Sequence, residues 1–256
     1  MASDANGGLL ESIRYTRTRV VTIDPEILRD SRLVMGLYKD PRADVFRVLR
    51  TNLLRQLRQN NWNSFVITSP TPNAGKTFLS INLAMAIALE GNQTVMLVEA
   101  DFRRPRIGHY LGLDVEPGIV DYLTGRVSLE EVLINPGIER LVMLLGRESQ
   151  VITSELMSSP KMIKLVQEIK SRYEFRIVIF DIPPLLVADD AMLFLPLVDA
   201  AVLVVEDGAN TSDELQHSMH ILEQTNLLGL VLNKSRQAPM IQQYGYYNLG
   251  PSNEHQ

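Results

Sequence analysis

The chain has 256 residues, 45% hydrophobic and 21% charged, with a net charge of −5 and no cysteine. That length and balance suit a single α/β domain with a substantial core. The charge leaves no overall footprint for nucleic acid, and without cysteine there are neither disulfides nor thiolate metal sites. The first residues lack the basic-then-apolar order of a signal peptide. The most apolar window, 191–205, is broken by Pro196 and Asp199, so no membrane-spanning helix of about 20 apolar residues is expected.

Residues 1–40 carry Gly, Ser, Arg and Asp without clear periodicity and are expected to form an extended or poorly ordered arm. A helix is expected over 43–59, with Phe46, Leu49, Leu53 and Leu57 on one stripe. A short apolar strand, 65–68, then leads through Ser69-Pro-Thr-Pro-Asn-Ala-Gly-Lys-Thr77 into the apolar-periodic stretch that begins at Phe78. A second strand, 94–100, ends in Asp101; short helices follow, one of them at 128–133, and another strand at 141–145. Ser159-Pro160 opens a helix with Met162, Leu165, Val166 and Ile169 on one face, proline standing where its missing N–H costs little. Strands 177–180, 201–205 and 228–232 are near-continuously apolar, the pattern of strands covered on both faces. Between the last two, Thr211 and Glu214 form a capping box. From 237 onward Pro239, Gly245, Gly250 and Pro251 stand among polar residues, and a flexible tail is expected. The alternation predicts a mainly parallel sheet with helices on both faces over 41–236, flanked by the arm and the tail.

The strand–loop–helix at 65–88 has the form of a phosphate site. A loop at a helix entrance directs backbone N–H groups and the positive end of the helix dipole at one point. Thr71, Pro72, Asn73, Ala74, Gly75, Lys76, Thr77 and Phe78 are its candidate members. Lys76 is suited to the outer phosphates and the Thr77 hydroxyl to Mg2+. Pro70 stands where the usual P-loop has its first glycine. In such sheets ligands bind beyond the carboxyl ends of the strands, and Glu99, Asp101 and Asp181 all fall at strand ends. Acidic residues there either cap the next turn or supply oxygens to a hydrated Mg2+.

These segments together resemble a known family. Ser69–Thr77, Val-Glu-Ala-Asp-Phe-Arg-Arg-Pro at 98–105 and Ile-Phe-Asp-Ile-Pro-Pro at 179–184 are similar, in order, to the bacterial tyrosine kinases of polysaccharide export, P-loop proteins related to the MinD/ParA ATPases. Asp44 to Asn52, Glu155–Pro160 and Val231-Leu232-Asn233 fit as well, so the likeness runs from about 43 to 235. It implies a P-loop NTPase-type fold, ATP and Mg2+ as ligands, and transfer of the γ-phosphate to tyrosine. Lys76 would contact the β- and γ-phosphates. Thr77, Glu99, Asp101 and Asp181 would surround the metal, Asp101 polarising the incoming tyrosine hydroxyl or a metal-bound water and Asp181 acting through water. Arg103 would sit near the transferred phosphate, and Asn233 would read adenine; as a bare residue, Asn233 serves equally as a strand terminator.

The resemblance further implies that Tyr244, Tyr246 and Tyr247 are phosphorylated by a neighbouring subunit, and that Asp44, Arg47 and Arg50 join subunits into a ring. The same arginines suit a solvated helix face, and the tyrosines a tail docked on the body. Expected partners are the cytoplasmic segment of a membrane adaptor that regulates polysaccharide chain length, further copies of the chain, and an opposing tyrosine phosphatase, with no nucleic acid. The expected place is the cytoplasm, at the inner face of the membrane. Three positions depart from the family pattern: Glu99 replaces an aspartate, Asn73-Ala74 a Gly-Glu pair, and Asp44 a glutamate. They leave open a MinD/ParA-type ATPase that transfers phosphate only to water, or a nucleotide-bound scaffold without turnover.

Overall fold

The structure, a computed structural model, describes residues 18–37, 40, 42–148, 153–173 and 175–236. In chain order the elements are β1 (Arg19–Val20), α1 (Pro25–Asp30), α2 (Ala43–Asn60), β2 (Ser64–Thr68), α3 (Lys76–Ala88), β3 (Thr94–Glu99), α4 (Ile107–Leu111), α5 (Ile119–Leu123), α6 (Leu129–Val132), β4 (Leu133–Asn135), β5 (Leu141–Leu144), α7 (Thr153–Met157), α8 (Pro160–Ser171), β6 (Arg176–Asp181), α9 (Asp190–Phe194), β7 (Ala200–Glu206), α10 (Ser212–Leu222) and β8 (Asn226–Asn233). Among the described residues one eight-stranded sheet runs β1-β4-β5-β3-β6-β2-β7-β8. All neighbouring pairs are parallel except β4–β5.

Alternation along the strands sorts side chains onto two faces. Phe65 and Ile67 of β2 enter one core with Leu54 and Leu57 of α2 and Leu83 and Ile87 of α3. Val66 enters the other with Leu165 and Ile169 of α8, Phe194 of α9 and Leu222 of α10. The local signals that start these helices are realised. Ser159 accepts a hydrogen bond from the Met162 amide at 3.1 Å, and Thr211 and Glu214 exchange capping bonds of 3.2 and 2.9 Å. Helix α2 stops at Asn61, whose φ of +57° is the left-handed state that Asn tolerates best after Gly.

Two expectations are corrected. Residues 18–37 are not an extended arm. Asp24 caps α1 through the Glu26 amide at 2.8 Å, Pro25 begins it, and Leu28, Leu33, Val34 and Met35 are buried against α3. Short elements of this size have too few turns for periodicity to show. Strand β8 is not covered on both faces. It closes one edge of the sheet, leaving Leu230 55% and Leu232 59% exposed. No described helix is long and apolar enough to cross a membrane.

The strand order positions the site. The chain passes from β2 through α3 to β3 while β6 lies between those two strands. Asp181 of β6 is therefore in register with Ile67 on one side and Glu99 on the other. Three loops open side by side at the carboxyl end.

Candidate active site

The loop between β2 and α3 is fastened on every side. The amides of Leu185 and Leu186, just beyond β6, donate to the Ser69 and Pro70 carbonyls at 2.8 and 3.1 Å. Within the loop the Ser69 hydroxyl donates to the Thr71 carbonyl at 2.8 Å, and Asn210 donates to the Thr71 hydroxyl at 2.9 Å. Asn73 has φ +69°, so a position read as having lost a flexible glycine carries the residue that best bears a left-handed backbone. Gly75 has φ +94°, and a Cβ there would lie 2.2 Å from Nδ2 of Asn233, so any other residue strains the backbone and must displace that side chain. Pro72 and Asn73 face solvent, while Ala74 is buried. Phe78 sets its ring edge-on to Phe46 at 5.8 Å and so belongs by its side chain to the core.

Helix α3 starts at Gly75 without a side-chain cap, leaving its first amides without intrahelical partners. Lys76 Nζ lies 2.7 Å from Asp101 Oδ2 and 3.6 Å from Asp181 Oδ1. The Thr77 hydroxyl donates to Asp181 Oδ2 at 2.6 Å. Ser80, one turn further on, donates to the Lys76 carbonyl at 2.9 Å and reaches the other Asp181 oxygen at 3.4 Å. Burial opposes a charged ammonium here, but the Asp181 and Asp101 carboxylates outweigh it and hold the Lys76 pKa above its ordinary value. Burial likewise pushes Asp181 up, against the pull of Lys76 and Thr77. Two carboxylates thus share one ammonium, and the cluster is short of positive charge.

That donor set suits Mg2+. Asp181 and the Thr77 hydroxyl are hard oxygen donors on adjoining elements, with Asp101 held beside them by Lys76 and the Arg104 amide, and among the described residues no group of three or more acidic or histidine side chains forms a cage. Mg2+ takes one or two protein oxygens and fills its shell with water and phosphate, so such a sparse set fits it.

The structure redirects four sequence-based expectations. Glu99, fully buried, accepts from the Arg106, Ile107 and Gly146 amides at 2.5, 2.6 and 2.9 Å, so both its oxygens are turned to backbone donors rather than to a metal. Burial pushes its pKa up to about 8, against the three amides that pull it down. Arg103 is ion-paired with Asp190 of α9, whose second oxygen accepts from Thr153 at 2.9 Å; its guanidinium is engaged there and not at the loop. Asn233 donates to the Ala74 carbonyl at 2.8 Å, which makes it a clamp on the phosphate loop. Arg50 turns inward to the Ala86 carbonyl at 3.1 Å and to Glu90 at 3.3 Å, whereas Asp44 and Arg47 pair with each other on the exposed face of α2. Tyr244, Tyr246 and Tyr247 lie outside the described residues.

Sequence reasoning passed over Ser80, Asn210 and Asp190. Ser80 carried a signal: a hydroxyl four residues after Lys76, on the same face of an otherwise apolar helix. Asn210 sits in the loop after β7 and Asp190 at the start of α9, and the approach of both to the site depends on the strand order.

No protein-family model matches the chain. The tyrosine-protein kinase Etk of Escherichia coli K12 is 33% identical over 196 residues, 76% of this chain and 27% of that protein. The chain is similar to bacterial proteins named tyrosine-protein kinases. The solved kinase domain of E. coli Etk superposes with a TM-score of 0.72 at 28% identity, over 88% of each chain. The chimerical protein CapA2B2 superposes with a TM-score of 0.75 at 29% identity, over 84% of this chain and 93% of that one. The fold is of the P-loop NTPase type, and the chain spans about a quarter of the length of full Etk, the part that corresponds in size to a kinase domain.

Proposed function

We propose that this chain is an ATP-dependent protein-tyrosine autokinase that regulates exopolysaccharide or capsule synthesis and export. The observation that carries the reading is the convergence of Lys76, Thr77, Asp101 and Asp181 at the mouth of three adjacent strands; kinship with the bacterial tyrosine kinases supports it. In this reading Lys76 would leave Asp101 for the β- and γ-phosphate oxygens, and Thr77 and Asp181 would hold Mg2+. Mg2+, when bound, neutralises charge on the phosphate oxygens. The bond from the γ-phosphorus to the bridging oxygen breaks as the bond from the tyrosine oxygen forms. Asp101, released from Lys76, draws the phenolic proton. The unpaired first amides of α3 stabilise the phosphate chain.

The acceptors are Tyr244, Tyr246 and Tyr247 of a neighbouring copy in a ring. The exposed Asp44 and Arg47 are suited to contact between copies; Arg50 is used within the chain. A membrane adaptor's cytoplasmic segment recruits the kinase from the cytoplasm to the inner face of the membrane, and a tyrosine phosphatase opposes it. Asn73 keeps the left-handed backbone of the loop without glycine, so this departure leaves the nucleotide site intact.

The test is incubation of the purified chain with Mg·ATP, with and without the adaptor segment. Phosphotyrosine at Tyr244, Tyr246 or Tyr247, abolished in Lys76→Met, is expected. Phosphate release without phosphotyrosine, even with the adaptor, overturns the kinase reading in favour of an ATPase.

A further inference from the structure

The residue that opens the loop bearing Asp101 has no role in the mechanism above, yet it is among the most heavily engaged side chains in the protein. Glu99 ends β3 with no exposed surface. One of its oxygens receives the Arg106 and Ile107 amides at the start of α4, and the other the Gly146 amide beyond β5. Three of the roughly four lone-pair positions of a carboxylate are therefore filled by backbone donors.

We infer that Glu99 is a positioning residue that closes the 100–106 loop and so aims Asp101 at Lys76, and that it is not a metal ligand. The loop is held at three points. At its start the Ala100 amide donates to the Asp181 carbonyl at 2.8 Å, and in its middle the Arg104 amide donates to Asp101 Oδ1 at 3.1 Å. At its end the side chain of Glu99 spans the loop's own base to reach Arg106 and Ile107. The remaining Asp101 oxygen is then left directed at Lys76. The reach of glutamate is what makes the span: aspartate, one methylene shorter, loses contact with at least one of the two segments. Gly146 belongs to the same knot. A Cβ there would stand 3.2 Å from Glu99 Cγ and 3.4 Å from Pro105 Cβ, so an alanine would press on the Glu99 side chain by a few tenths of an ångström.

The kinetic part of the test rests on the kinase reading, so it is paired with two measurements that do not. The protein is compared with Glu99→Gln, Glu99→Asp and Gly146→Ala for amide hydrogen exchange, for ATP affinity against Mg2+ concentration by calorimetry, and for KM and kcat of phosphotransfer. Because the Gln amide accepts at one end only, positioning predicts faster exchange in Glu99→Gln either at the Gly146 amide or at the Arg106 and Ile107 amides, and an unchanged Mg2+ requirement for ATP binding. It also predicts a kcat lowered by about tenfold to a hundredfold with little change in KM. Glu99→Asp does not restore kcat, and Gly146→Ala, which keeps Glu99 but presses on it, lowers kcat in the same direction by less. The inference is overturned if Glu99→Gln raises the Mg2+ requirement about tenfold while those amides exchange as before and Glu99→Asp rescues it, the behaviour of a ligand. Exchange and ATP affinity decide between the two even in a chain that transfers phosphate only to water.

Discussion

Replacement of Gly75 by alanine tests the geometry of the phosphate loop. The backbone there has φ +94° and ψ 23°, a left-handed state that costs a residue with a Cβ about 1–2 kcal/mol. The new methyl group would lie 2.2 Å from Asn233 Nδ2, and the half-buried amide must swing away, surrendering its 2.8 Å bond to the Ala74 carbonyl. Such a bond contributes about 0.5–1.5 kcal/mol. Gly75→Ala is therefore expected to cost about 1.5–3.5 kcal/mol, read as a lower urea midpoint at constant slope, or as a fall of about 3–14 °C in melting temperature. Asn233→Ala alone costs only the hydrogen bond. In the Gly75→Ala background it is nearly neutral, because the bond is already broken, and the double-mutant cycle returns a coupling of about 1 kcal/mol. Strict additivity of the two substitutions would show that Asn233 does not clamp the loop and refute the reasoning.

Asp199, which accepts from the Asn63 and Ser64 amides at 3.1 and 3.0 Å and from Lys170 at 2.8 Å, fixes the entry of β2; Asp199→Ala is expected to cost about 2–4 kcal/mol in urea unfolding, since it strands two backbone donors. Asp121 is gripped by Arg147 at 2.7 and 2.6 Å, and that hydrogen bonding, aided by the Gly118 amide, holds its pKa well below the usual carboxylate range. The stability it contributes is complete above about pH 4, the unfolded value, and is lost as acid carries the pH down towards the depressed folded value. The urea midpoint of the protein should therefore fall more steeply below pH 4 than that of Asp121→Asn. Leu232→Lys on the open face of β8 should change stability by less than about 0.5 kcal/mol and reduce aggregation at high concentration in light scattering, because a lysine blunts an exposed edge.

The parts of the fold legible in the sequence were those in which one short segment carries its own signal. The loop at 69–77, the strand-end acids Asp101 and Asp181, and the Thr211 capping box each combine residue type with local periodicity, and each stands where it was read. Residues 18–37 were missed although Asp24-Pro25 has the form of a helix start, because a six-residue helix leaves no periodic trace. The exposure of β8 was not legible, since an apolar run reads alike at the centre and at the edge of a sheet. Glu99, Arg103 and Asn233 sat in matching motifs, yet motif position does not say where a side chain points. One extra methylene sent Glu99 to the backbone, and a buried Asp190, eighty-seven residues away in the chain, holds Arg103.

All residues of α3 except Phe78 are buried, including the lysine and threonine at its entrance. A ligand held at that entrance therefore grips the centre of the domain, and its binding energy is felt by the whole structure through mass action. At about a hundred times its dissociation constant, any such ligand adds about 2.7 kcal/mol to global stability. The lifetime of the protein in a cell, and not its activity alone, would then follow the local supply of that ligand.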